Sequence, residues 1–210
     1  MSTCILRTRD AWWAETPRGA VKINTTAQTT AGSADRDAIA AAGGPAVPPG
    51  HLDLVSPVTA PCRVVAQAVN FRSHAIDSGI DPDRVPAAFF RKTSGSISGP
   101  YADITKPAHV RFLDYEVEIG LVLGAEVPVG TMITAANIAG YVAGLVITND
   151  VSARDLQLPK GQFFESKSYQ PARRELTTSR RCPGDAVGRE NCAGLAGRCR
   201  PGFAAAHVAM

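Results

Sequence analysis

The sequence predicts an α+β fold in which strands dominate and the helices between them are short. Two runs carry the strand reading: "YEVEIGLVLG" from Tyr115 and "YVAGLVITND" from Tyr141 are apolar, rich in β-branched residues and bounded by turn formers. The intervening helical signals, "FRSHAIDSG" and "TAANIAG", are one or two turns long. At 210 residues, 45% of them hydrophobic, the chain is large enough to bury one medium domain with a small appendage.

The elements follow in order. Residues 1–50 form a small N-terminal segment with weak patterning. Within it "GAVKIN" reads as a short strand and "SADRDAIAAAG" as a short helix capped by Ser33 and ending near Gly43. "GGPAVPPG" at 43–50 is a linker by its Pro and Gly content. The main unit is predicted over residues 51–169. There "RVVAQAV" reads as a buried strand, "FRSHAIDSG" as a helical turn, and "AAFFRKTSGSISGP" as a strand entering a Ser/Gly loop. The two strong strands follow, joined by a short helical crossing at "TAANIAG". "VSARDLQL" then opens a helix with Ser152 available as its cap.

At 170–210 the composition changes. Leu, Ile, Val and Phe supply five residues of the last 40, too few to pack a core, and Arg, Ala, Gly and Pro dominate. This stretch is expected to be a disordered tail or one translated out of frame, with no persistent strand or helix. Its seven Arg against three acidic residues account for the net charge of +3 and the pI near 8.7. The first 170 residues carry no basic stripe with interleaved aromatics, which argues against a nucleic-acid partner. No run reaches the roughly 18 apolar residues of a membrane span, and the first residues lack the apolar stretch of a signal peptide. Cys4 and Cys62 read as thiols in a reducing compartment, and Cys182, Cys192 and Cys199 match no zinc spacing. A cytoplasmic protein is the expectation.

Chemistry concentrates in "FLDYEVEIGLVLG". Along a strand Asp114, Glu116 and Glu118 would point to one side, and Tyr115, Val117 and Ile119 to the other, into a core. Carboxylates about 7 Å apart repel unless a positive charge sits among them. An edge strand with a solvated acidic face is one reading. The apolar continuation after Glu118, which suits a buried strand, and Asp150 at the end of the next strong strand both weaken that reading. Glu116, Glu118 and Asp150 offer oxygen ligands only, which suits Mg²⁺, Mn²⁺ or Ca²⁺.

Three further groups are candidates. His74 and Asp77 stand three apart, so one helical turn would place them on one face, where a carboxylate can orient an imidazole base. Lys167 follows Phe163 and Phe164 in "FFESKSY" and would be partly desolvated, ready to meet an enolate or carboxylate. Arg154 and Gln157 follow Asp150 at +4 and +7, one face of a helix aimed at what Asp150 binds. For each of them a solvated surface side chain is the alternative. Lys92 and Ser94, beside the Ser/Gly loop, are expected either to line a pocket or to sit on a solvated turn.

In series, "NFRSHAIDSG", "FFRKTSGSISGP", "LDYEVEIGLVLG", "GYVAGLVITNDVSARDLQL" and "KGQFFESKSY" resemble the core of the fumarylacetoacetate hydrolase family over residues 53–169. The resemblance implies a mixed, β-rich roll with short helices, usually a homodimer. It implies Mg²⁺, or Mn²⁺ or Ca²⁺, held by Glu116, Glu118 and Asp150, with Asp114 in support. It implies hydrolytic C–C cleavage of a 1,3-dicarbonyl or related oxo-acid in small-molecule catabolism, with oxo-acid decarboxylation or enol isomerisation as the alternatives. In that scheme His74, oriented by Asp77, activates water, Lys167 meets the developing anion, and Arg154 and Gln157 contact substrate oxygens. The resemblance breaks at "KSYQPARRELTT", where the family's further strands and Gly-rich stretch are not found, so the roll is predicted to be incomplete at its C-terminus. A truncated, catalytically silent fragment is the competing expectation.

Overall fold

The computed structural model describes residues 2–33, 35–84 and 86–169, and the backbone of 206–209. The remainder of the 170–210 tail lies outside the described residues.

The N-terminal segment is better packed than its sequence pattern predicted. Strands β1 (Ser2–Arg7), β2 (Trp12–Thr16) and β3 (Gly19–Lys22) form an antiparallel meander. Only "GAVKIN" had been legible there as a strand. Alternation sends Ile5, Trp12, Ala14, Val21 and Ile23 to one side, where Ile39 closes the core. Trp12 buries its ring and still satisfies its indole N–H, which donates to the Ala27 carbonyl at 2.9 Å. The β2–β3 turn brings Gly19 to φ +128°, and a Cβ there would lie 2.9 Å from the Val47 carbonyl oxygen, so the position takes glycine for two reasons. The predicted single helix is two short ones, α1 (Thr30–Ser33) and α2 (Arg36–Ala40). Ser33 ends the first and gives its hydroxyl to the Thr30 carbonyl, so the cap of the second is Asp35, which accepts from Asp37 N and Ala38 N.

In the main unit, β4 (Val64–Ala68) pairs antiparallel with β5 (Ala88–Lys92), and α3 (Arg72–Asp77) lies between them in sequence. A two-residue strand β6 (Leu113–Asp114) runs into β7 (Val117–Leu123), which pairs antiparallel with β8 (Val142–Asn149) from Val117↔Asn149 to Leu123↔Val142. A 3-10 turn at Ile138–Gly140 replaces the predicted helical crossing. Strand β9 (Ser152–Ala153) pairs with β6, and α4 (Arg154–Lys160) follows, stopped by Gly161 at φ +59°, whose N–H closes on the Gln157 carbonyl. The cap of α4 is Ala153, without a side-chain bond; Ser152, expected to cap it, is turned elsewhere.

A six-stranded sheet joins the two parts in the order β3-β2-β1-β10-β8-β7. Its strand β10 (Ala206–Ala209) is antiparallel to both β1 and β8, so the tail contributes a strand where none was expected.

Two expectations about burial are overturned. Tyr115, Val117 and Ile119 do not enter a core: they are 64%, 50% and 47% exposed, and Leu121 and Leu123 continue the same open face. Strand β7 ends the sheet, and among the described residues nothing packs over that side. Strand β4 is likewise half-exposed, with Val65 at 62%. The acidic face of the Asp114–Glu118 run is the enclosed one.

Candidate active site

The enclosed face is built by four chain segments. Strand β5 delivers Lys92, the β6–β7 run delivers Asp114, Glu116 and Glu118, the end of β8 delivers Asp150, and the segment after α4 delivers Lys167. Two backbone contacts fix this assembly: Asp150 N donates to Glu116 O at 2.8 Å, and Ala153 N donates to Ser166 O at 2.8 Å. Thr93 N and Oγ1 donate to Ser168 Oγ and O, which pins the end of β5 to the segment carrying Lys167.

Three cationic side chains lie among the carboxylates of the acidic run. Lys167 Nζ donates to Glu116 Oε1 at 2.5 Å and to Asp150 Oδ2 at 2.9 Å, with only 4% of the lysine side chain exposed. Lys92 Nζ takes the other oxygen of Asp150, Oδ1. Arg154 bridges Asp114 and Glu116, its Nη2 2.9 Å from Asp114 Oδ2 and 3.0 Å from Glu116 Oε1. Ser152, fully buried, donates its hydroxyl to Glu116 Oε1 at 2.6 Å. Phe90 and Phe163 stack with centroids 4.9 Å apart, and Lys167 Nζ lies 5.5 Å from the Phe90 ring. The desolvation expected from the aromatic neighbours of Lys167 is therefore present, with Phe90 joining Phe163.

Four carboxylates face three cations, and Glu118 carries the imbalance. Its carboxyl is raised above the usual range, first by burial and then by the charges of Glu116 and Asp150; Lys167 and His74 pull it partly back. His74 thus acts electrostatically on this cluster. Its expected partner does not orient it: His74 and Asp77 are both exposed on α3, and no hydrogen bond joins them. Gln157 is buried and accepts from Arg154 Nη1 at 2.7 Å, so the two bond to each other on one face of α4. Asp155, beside them, accepts from Arg111 N and Phe112 N, and these backbone bonds hold its carboxyl below the usual range. Of the two loop residues, Lys92 is in the site, whereas Ser94 accepts from Cys62 N. Ser152 was missed because a serine before a helix reads first as a cap; its alternation with Asp150 was the available signal.

The chemistry of the set suits a hard divalent cation: Glu116, Glu118 and Asp150 supply oxygen only, and burial beside two other carboxylates disfavours the charged form of Glu118 until a cation joins it. Among the described residues, however, no group of three His, Cys, Asp or Glu is arranged to hold an ion, since ammonium groups lie against Glu116 and Asp150.

Residues 63–173, just over half of the chain, match the fumarylacetoacetate (FAA) hydrolase C-terminal domain. The chain belongs to the fumarylacetoacetate hydrolase family. Among family members, the rat mitochondrial oxaloacetate tautomerase Fahd2a is 36% identical over 126 residues, which are 60% of this chain and 39% of that protein. Its human counterpart FAHD2A is 34% identical over 127 residues. The chain thus spans about two-fifths of the length of these curated relatives. Family structures superpose on 81% of this chain: a putative HpcE protein of Mycobacterium smegmatis has a TM-score of 0.63 at 28% identity, covering 62% of that chain. A probable 2-hydroxyhepta-2,4-diene-1,7-dioate isomerase of Mycobacterium abscessus has 0.62 at 25%, covering 60% of that chain. Over the superposed residues this chain therefore has the family fold. Among the described residues no helix is long and apolar enough to cross a membrane.

Proposed function

We propose that this site performs proton transfer at the carbon beside a carbonyl of an oxo-acid, as an enol–keto tautomerase or isomerase. The observation that carries this reading is Lys167, buried beside Phe90 and Phe163 and held by Glu116 and Asp150. An ammonium has three donors, and two are spent on those carboxylates, which leaves one aimed by its anchors toward a developing enolate oxygen. His74, exposed beside the cluster, is the group free to hold or return the proton at carbon. Arg154 and Gln157 orient a substrate carboxylate. The names of the rat and human relatives, oxaloacetate tautomerases, support a short oxo-diacid as substrate.

Glu116, Glu118 and Asp150 would hold Mg²⁺, Mn²⁺ or Ca²⁺. Bound there, such an ion supplies Lewis-acid polarisation of the carbonyl. Hydrolytic C–C cleavage is the second reading. It asks for a water-activating dyad, and the lack of a hydrogen bond between His74 and Asp77, both exposed on α3, favours tautomerisation over it. The functional unit in this reading is a homodimer, supported by the open apolar face of β7. The compartment is cytoplasmic, as the sequence suggested, or mitochondrial, as in the relatives' names.

The test follows the ultraviolet absorbance of enol-oxaloacetate with Mg²⁺ or Mn²⁺ present, beside chromatographic detection of pyruvate from an acylpyruvate. Faster enol loss with wild type, reduced about a hundredfold or more in Lys167→Met, is expected. Pyruvate release without enol conversion would favour the hydrolase. Neither activity would return the chain to the class of silent fragments.

A further inference from the structure

A cavity of about 490 Å³ opens in the N-terminal segment, where β1 ends, β2 begins and β3 ends. Its volume lies within the roughly 300–1,000 Å³ of small-molecule sites. Buried Ala11, Trp12 and Ile23 contribute to the lining. Arg7, Arg9 and Lys22 line it too, with Asp10 as the one acid, which leaves a surplus of two positive charges. None of these residues falls within 63–173, the part that matches the family domain.

The three cations differ from an ordinary solvated surface. Arg7 is held in place: it stands opposite Trp12 in the β1–β2 pairing, its guanidinium is 5.3 Å from the indole centroid, and Nη1 donates to Ser56 O at 3.1 Å. A ligand therefore need not order it, and it has further N–H groups to offer. Among the described residues none of the three sits in an ion pair, and Lys22 acts on Asp10 only at longer range. Asp10 accepts from Thr8 Oγ1 at 2.8 Å, so the one carboxylate is already engaged within the protein. Charges of one sign around a concave surface focus their field there and draw in a counter-ion.

We propose that this cavity binds a compact dianion, a phosphate group or a short dicarboxylate, at a site separate from that of Lys167. Two negative charges match the surplus in the lining. Guanidinium forks suit two oxygens of one acid group, and an ammonium adds a point charge. Trp12 is 5% exposed and its N–H is bonded to Ala27 O, so the indole is a floor and not a platform for a stacked ring. No covalent step is involved.

Calorimetry on the full chain tests this, with inorganic phosphate and malonate as separate probes at one ionic strength, above neutral pH, where both are dianions. At least one should bind with a Kd of about 5 mM or tighter, and the tighter of the two names the source of the charge. Arg9→Gln and Lys22→Gln, both at exposed positions, should each weaken that binding about threefold or more, and together about tenfold. Arg18→Gln, at an exposed position outside the lining, should leave it unchanged. On wild type alone, arginine and lysine modification read by mass spectrometry should slow at Arg9 and Lys22 when the probe is added, and not at Arg18. Unslowed labelling of Arg9 and Lys22 in wild type that binds overturns the proposal, whether or not a variant misfolds. Binding of neither probe overturns it, as does binding that ignores the Arg9 and Lys22 changes or falls equally in Arg18→Gln.

Discussion

Replacing Lys167 by Met keeps a long side chain and removes the ammonium from between Glu116 and Asp150. Four carboxylates would then face two cations, Lys92 and Arg154. The three groups involved are 4%, 16% and 12% exposed, so water cannot take over the solvation that the lysine provides. Removing one member of a buried ion pair costs about 3–5 kcal/mol, mostly because its partners stay buried and uncompensated. For a chain of this size each kcal/mol moves the melting temperature by about 2–4 °C, so Lys167→Met should melt roughly 6–20 °C below wild type. Calorimetry in chelator at neutral pH measures this. Adding Glu116→Gln removes one of the stranded charges, and the cost of the lysine change should be smaller by about 1–3 kcal/mol in that background. A cooperative Lys167→Met transition within about 2 °C of wild type would refute the reasoning. It would mean that the cluster is not closed in solution.

Glu118→Gln should stabilise the chelator-treated protein at neutral pH and leave it unchanged near pH 4. The Glu118 carboxyl is raised in the folded chain, so the stability gained from its proton is complete below the unfolded value of about 4.3 and lost as pH rises through the folded value. Melting curves across that range would show the gap between variant and wild type opening with pH; a gap that closes with pH contradicts the sign. Trp12→Ala should cost about 3–5 kcal/mol by denaturant titration, because the indole fills the N-terminal core and leaves the Ala27 carbonyl without its donor. Paired Leu121→Thr and Leu123→Thr changes should reduce self-association in sedimentation with little change in melting temperature, since both side chains are more than half exposed. A large loss of stability there would show that this face is covered.

The motifs of 53–169 placed the chain in its family because they are local: strand alternation, a helical turn and a short lysine segment survive in one dimension. The same locality made Arg154 and Gln157 legible as a pair, and Lys167 as desolvated. The strands β1 and β2 were not legible, because "STCILR" and "WWAET" are short and acquire their pattern only when Ile5, Trp12 and Val21 meet. Ser33 and Ser152 misled as caps, since a hydroxyl bonds to whatever acceptor the fold brings, here Thr30 O and Glu116 Oε1.

By itself the sequence determined that carboxylates would crowd one side of the Asp114–Glu118 run, and hence that something positive must join them. Which cations answer was a tertiary matter. Lys92 is 58 residues from Asp150 and Lys167 is 51 from Glu116, separations over which no local pattern carries information. The orientation of the strand was also tertiary. Alternation divides a strand into two faces, but only the neighbours decide which face is enclosed, and here β5, β8 and the Lys167 segment enclose the acidic one.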